Sequence, residues 1–227
     1  MIMINKLIKE LESLSLLKHP FYQAWNDGIL NKEILADYAC QYFHNVDAFP
    51  RYLSTIHSRC YDIKIRQVLL GNLVEEESGD ENHPELWKRF ARSLGVSDSM
   101  IESSVPYAKT KELIDGFFNI CKSSVAAGIG ALFAYERQIP EIAQSKIDGL
   151  CKFYNFSSSD AGLKFFYVHI EADEWHSQEC AQLIEALDPS SREVAYKGAV
   201  KGAKLLWQFL DGICESEVFK RYCSVAC

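Results

Sequence analysis

The chain has 227 residues, 48% hydrophobic and 24% charged, enough to bury a sizeable core without disulfide staples. Lys and Arg number 24 against 31 Asp and Glu, a formal charge of −7 and the wrong sign for a protein whose task is to grip phosphates, so nucleic acid is excluded as its main partner. No run approaches the roughly 18 apolar residues of a membrane helix, and residues 1–14 intersperse charges without an apolar signal core. The expectation is a soluble cytoplasmic protein, bound to no membrane, whose 8 cysteines are reduced.

Residues 4–17 place Leu7, Ile8, Leu11, Leu14 and Leu17 mostly three and four apart, the spacing of one helix face. His19-Pro20 closes that helix and opens the next over 21–25, with Gly28 just beyond. Residues 34–60 predict a long helix or a pair, with a bend or break at Pro50. Residues 62–77 are amphipathic through Ile65, Val68, Leu69 and Leu73 and stop near Gly79. Pro84 suits a first helical turn ahead of Leu86, Phe90 and Leu94. Residues 115–139 are the most apolar helical stretch, and Ala126, Ala127, Gly128, Gly130 and Ala131 let a neighbouring helix approach closely. Residues 158–187 predict another long helix with 158–160 as its cap region, and 190–219 close the chain. No segment alternates like a strand, and no repeat or linker divides the sequence. The fold class is all-α, a single domain over 1–227, with about seven helices in a bundle.

The segment His169-Ile-Glu-Ala-Asp173-Glu-Trp-His176 carries the clearest chemistry. At ~100° per residue, His169, Asp173 and His176 fall near 0°, 40° and −20° on one narrow helix face. Two imidazoles and a carboxylate one turn apart suit a metal; the alternative is a solvated face with two exposed histidines. Upstream, Glu75-Glu76-Glu77 ends a helix and His83 follows. Glu76 continues the buried face from Leu69 and Leu73, and Glu77 is placed almost as well, so periodicity leaves the pair open. An acidic run at a helix end is also commonly just solvated. Glu136 sits in the most apolar helix, where a carboxylate is costly unless paired. Adjacent Arg137 faces another side, so the alternative is a solvated strip near the helix end. Pro140, four residues on, predicts a kink.

Three carboxylates and three histidines suit two divalent ions: +4 against −3 leaves one charge for a hydroxide or an oxygen-derived ligand, and an oxygen and imidazole set favours iron or manganese. Bundle cores house such sites, but the two Glu-x-x-His motifs of ferritin-like proteins are absent. Cys180, one turn past His176, reads as core. Cys223 and Cys227 near the C-terminus raise a redox question.

Glu76-x6-His83, Tyr135-Glu136-x-Gln138-Ile-Pro140 and His169-x3-Asp173-x2-His176 together resemble the haem-oxygenase-like di-metal oxidases. The segments His19-x-Phe21-Tyr22-x-x-Trp25, 48–60 and Ala126-Ala127-Gly128 are similar to the CADD-like (death-domain-associating) group within that family. The similarity spans nearly the whole chain. It implies a haem-oxygenase-like (TenA/PqqC-like) bundle without haem, a homodimer, and Glu76, His83, Glu136, His169, Asp173 and His176 as ligands of two ions, Fe/Fe or Fe/Mn, with O₂ as co-substrate. It further implies synthesis of para-aminobenzoate for folate, with Tyr22 as the aromatic source, Lys146 as the nitrogen donor and Tyr135 as a radical relay. By residue pattern alone Tyr22 reads as a core aromatic and Lys146 as a solvated helix lysine. Phe165 stands where the resemblance leads one to expect a tyrosine, with Tyr167 nearby.

Breaking a tyrosine side chain is beyond acid–base catalysis and calls for an oxidant made from O₂ at reduced metal. Two other readings are an oxidase of an external amino or fatty acid, and a module secreted into a host cell to bind death-domain proteins. A thiaminase-like hydrolase would leave the aligned histidines unexplained.

Overall fold

The computed structural model describes residues 2–225, with side chains over 3–222. The described residues form twelve α-helices and three short 3₁₀ turns, and no strand. The helices are α1 (Ile2–Leu11), α2 (Pro20–Asn26), α3 (Lys32–Arg59), α4 (Ile63–Glu77), α5 (His83–Ser93), α6 (Asp98–Ser103), α7 (Ala108–Ser123), α8 (Val125–Glu136), α9 (Ile139–Phe153), α10 (Lys164–Ala186), α11 (Pro189–Cys214) and α12 (Glu217–Val225). The all-α expectation holds, but seven helices was too few.

The extra helices come from local caps inside apolar stretches. The apolar run 115–139 is cut at Ser124, whose extended backbone lets its hydroxyl accept the Ala127 N–H at 3.1 Å and start α8. The expected kink at Pro140 is a full break: α8 ends at Glu136, and Pro140 lies in the first turn of α9. The helix expected from residue 158 begins at Lys164, after a 3₁₀ turn capped by Asp160. The closing helix divides at 215–216, where Ser216 caps α12 through the Phe219 N–H. Pro50 neither breaks nor divides α3. The buried residues Phe49, Tyr52 and Leu53 around it supply the packing that offsets one lost hydrogen bond.

Every residue of α8 after Val125 is buried, and α3, α7, α10 and α11 pack around it. The small residues do what their sequence suggested. A Cβ at Gly130 would collide with the Ala195 backbone, and one at Gly198 with that of Ala127, so α8 and α11 meet backbone to backbone. His19 sets the start of α2: its Nδ1 accepts the Phe21 N–H at 3.1 Å while Nε2 lies 3.1 Å from Asp211 on α11. That anchor fixes the buried Tyr22.

Among the described residues no helix is long and apolar enough to cross a membrane. Cys40, Cys60, Cys121, Cys151 and Cys180 are free thiols. The side chains of Cys223 and Cys227 lie outside the described residues.

Candidate metal centre

Six side chains from α4, α5, α8 and α10 gather into two triads, Glu76 with His83 and His169, and Glu136 with Asp173 and His176. In each triad one nitrogen or oxygen per residue lies within 4.8 Å of the other two. All six residues are buried. The i, i+4, i+7 spacing on α10 therefore serves both triads, His169 going to one and Asp173 and His176 to the other. The last turn of α4 turns Glu76 inward and leaves Glu77 exposed, which settles the choice that periodicity left open. Asn82 caps α5 by accepting the Glu85 N–H at 3.0 Å, and so places His83 at the first residue of that helix.

Glu136 has no place on a solvated strip: it is completely buried. Its partners are also not Arg137. Oε1 accepts from Asn72 Nδ2 at 2.6 Å, and Oε2 accepts from the Cys180 thiol at 3.4 Å. Sequence reasoning missed Asn72, although it lies one turn before Glu76 on the same buried face of α4. Cys180 is buried as expected, yet it also touches the site.

Burial pushes the Glu136 and Asp173 carboxyls above the ordinary range, with the charge of Asp173 adding to the first and that of Glu76 to the second. Burial opposes the charge on His176, but Asp173, Glu136 and Glu75 outweigh it and hold that imidazole up to about 9. His83 is likewise raised, with Glu76 prevailing over burial. Burial and then neighbouring His83 push His169 well down, and its Nδ1 lies 2.6 Å from the Phe165 carbonyl, which leaves Nε2 for another partner.

Two further details fit cations. Asp173 Oδ2 is buried with no hydrogen-bond partner. His83 Nδ1 is 2.8 Å from Glu76 Oε2, and it too is buried without a hydrogen-bond partner. Buried polar atoms left in this state are costly without a partner. The nitrogen and oxygen donor set, lacking thiolate, suits iron or manganese.

Beside the triads is a cluster of phenols around an amine. Lys146 is only 4% exposed, which overturns its reading as a solvated helix lysine. Its Nζ donates to Tyr38 Oη at 2.8 Å and lies 5.5 Å from the ring centre of Tyr22, 5.0 Å from that of Tyr38 and 5.1 Å from that of Tyr42. Burial lowers this amine to about 7. The Tyr22 and Tyr38 hydroxyls share a hydrogen bond of 3.1 Å. Tyr38 stacks on Tyr42 at 5.6 Å, and Tyr42 shares a 2.6 Å hydrogen bond with Tyr135. A small void lined by Tyr42, Tyr135, Lys146 and His169 links this cluster to the first triad. Phe165 packs on His169 with ring centres 4.0 Å apart, whereas Tyr167 points outward to the Ser158 carbonyl. Tyr38 and Tyr42 were also missed, though their i, i+4 spacing on α3 marks one face.

A family model described as an iron-containing redox enzyme matches residues 36–208. The chain belongs to this haem-oxygenase-like family of iron-containing redox enzymes. Within it, the chain is 43% identical over 218 residues to a 4-aminobenzoate synthase of Nitrosomonas europaea, covering 91% of this chain and 88% of that protein. It is 39% identical over 213 residues to a 4-aminobenzoate synthase of Chlamydia muridarum, covering 93% and 90%. A TenA homologue from Pseudomonas syringae superposes with a TM-score of 0.80 at 16% identity, covering 94% of this chain and 93% of that one, and shows the shared fold.

Proposed function

We propose that this protein is an O₂-dependent 4-aminobenzoate synthase that holds two metal ions, iron with iron or iron with manganese, and consumes its own Tyr22. Glu76, His83 and His169 would hold one ion, and Glu136, Asp173 and His176 the other. When bound, the metal pair supplies the power to reduce O₂ to an oxidant able to attack a tyrosine side chain. The family and the 4-aminobenzoate synthase relatives support the reaction class.

The observation that carries the reading is the buried Lys146 amine lying 5.5 Å from the ring of buried Tyr22. 4-Aminobenzoate has six ring carbons, one carboxyl carbon and one nitrogen para to it. A tyrosine ring with its Cβ supplies the seven carbons, so the Cα–Cβ bond breaks. The phenol oxygen stands where the nitrogen must go, so an amine has to reach that end of the ring; as the new C–N bond forms the ring C–O bond breaks with loss of the oxygen as water, and release of the product also breaks the Lys146 Cε–Nζ bond, with O₂ as the oxidant. Tyr38 holds both groups together, because its hydroxyl takes the hydrogen bond from Lys146 and shares another with Tyr22 Oη. With its proton affinity lowered to about 7, Lys146 carries a free lone pair in much of the population at neutral pH. Tyr135, adjacent in sequence to Glu136, is the phenol assigned to relay oxidation from the metal pair toward this cluster.

Protein labelled with ¹⁵N-lysine and given iron, manganese, reductant and O₂ tests the assignment. The released 4-aminobenzoate should carry ¹⁵N, and K146R should release none. Unlabelled product, or undiminished product from K146R, would overturn it.

A further inference from the structure

We propose that Glu75 is the carboxylate that orients His176 for the ion of the second triad, an inference that rests on the two-ion reading above. The two ring nitrogens of His176 face different neighbours. Nδ1 lies 3.7 Å from Asp173 Oδ1, a member of its own triad, and Nε2 lies 3.2 Å from Glu75 Oε2. A metal-ligating histidine characteristically gives its other N–H to a carboxylate or carbonyl, which fixes the tautomer and the ring orientation. His169 shows the carbonyl version, with Nδ1 on Phe165 and Nε2 left over. His176 would use the carboxylate version, with Glu75 Oε2, 3.2 Å away, taking the Nε2 proton and the Nδ1 lone pair left on the side of Asp173.

The position of Glu75 gives the contact a second meaning. It immediately precedes Glu76, so one turn of α4 orients a histidine of one triad and supplies a carboxylate to the other. Asn72, a turn earlier, donates to Glu136. The buried residues of α4 are Leu69, Asn72 and Glu76. The helix packs chiefly against α3, with Leu69 buried and Ile65 and Leu73 against the core, and its last turns add the polar contacts to the two triads. The Glu75 side chain is 52% exposed and the His176 side chain 5%, so Glu75 stands between the second triad and solvent.

Release of Mn²⁺ from the loaded full-length protein into excess chelator, followed by stopped flow with bound manganese counted by elemental analysis, tests the proposal. Wild type should release two ions. E75A should release one ion about 10–100-fold faster and the other at the wild-type rate. E75Q keeps an oxygen that can accept the Nε2–H, and its fast phase should lie between those of E75A and wild type. E77A, altering the exposed neighbour, should match wild type. Two ions leaving E75A at wild-type rates would overturn the inference and leave the two-ion reading standing. Both ions leaving E75A faster by one common factor would show that Glu75 only anchors α4, and would also overturn it. Wild-type protein that takes up fewer than two ions would overturn the two-ion reading itself.

Discussion

Replacing Lys146 with methionine should stabilise the fold at neutral pH while abolishing product. The folded site lowers the amine from the ordinary lysine value of 10.5 to about 7 through burial. Between those values the unfolded chain binds a proton that the folded chain does not, so wild-type stability rises with pH across this window. At pH 7 the unfolded lysine is fully protonated and the folded one about half, which costs the native state about 4 kcal/mol. Methionine removes that cost and fills similar space. It gives up one hydrogen bond to Tyr38, worth about 1 kcal/mol. The net expectation for K146M is a gain of about 3 kcal/mol at pH 7. Urea denaturation of metal-free K146M and wild type, compared at equal m-values from pH 6 to 10, reads it directly. The gain should shrink steadily as pH approaches 10. A K146M protein less stable than wild type at pH 7, or a difference that does not change with pH, would refute the reasoning.

Three further outcomes follow from the same geometry. Because burial raises the Glu136 and Asp173 carboxyls and His176 is held up to about 9, protons compete with ions at the second triad. Manganese affinity measured by titration should therefore weaken from pH 8 to pH 6, and a flat profile would contradict the assignment. E136Q should lower bound metal from two ions per chain to one without lowering the stability of the metal-free protein, since it removes a buried carboxyl that the fold disfavours; elemental analysis and urea denaturation check both. G130V should force α8 and α11 apart and cost at least about 1–3 kcal/mol in urea denaturation, because its side chain would meet the Ala195 backbone.

The helical class, the close approach of a neighbouring helix at the small residues of α8 and the shared face of His169, Asp173 and His176 could be read in the sequence because each depends on periodicity within one helix. His169, Asp173 and His176 align by spacing alone. The number of helices could not, because Ser124 and the Glu136–Ile139 break cut a continuously apolar run whose composition does not change across the cut. Glu76 could be separated from Glu77 only through the family resemblance, since both continue the face of Leu69 and Leu73; the fold separates them by burial. The partners Asn72, Cys180 and Glu75 reach their targets across helices, and no single-helix pattern encodes that. Lys146 shows the same limit: its neighbours Tyr22 and Tyr38 are more than 100 residues away, and only the packed α2–α3–α9 corner turns an ordinary helix lysine into a buried amine.

In the proposed reaction the chain is its own substrate. Intact mass and peptide mapping of the metal-loaded protein before and after a single exposure to O₂ test it most directly. Mass should be lost from the peptide bearing Tyr22 and, with the transferred nitrogen, from the peptide bearing Lys146, in amounts equal to the 4-aminobenzoate released and never more than one product per chain. An unchanged chain that releases several products would contradict it.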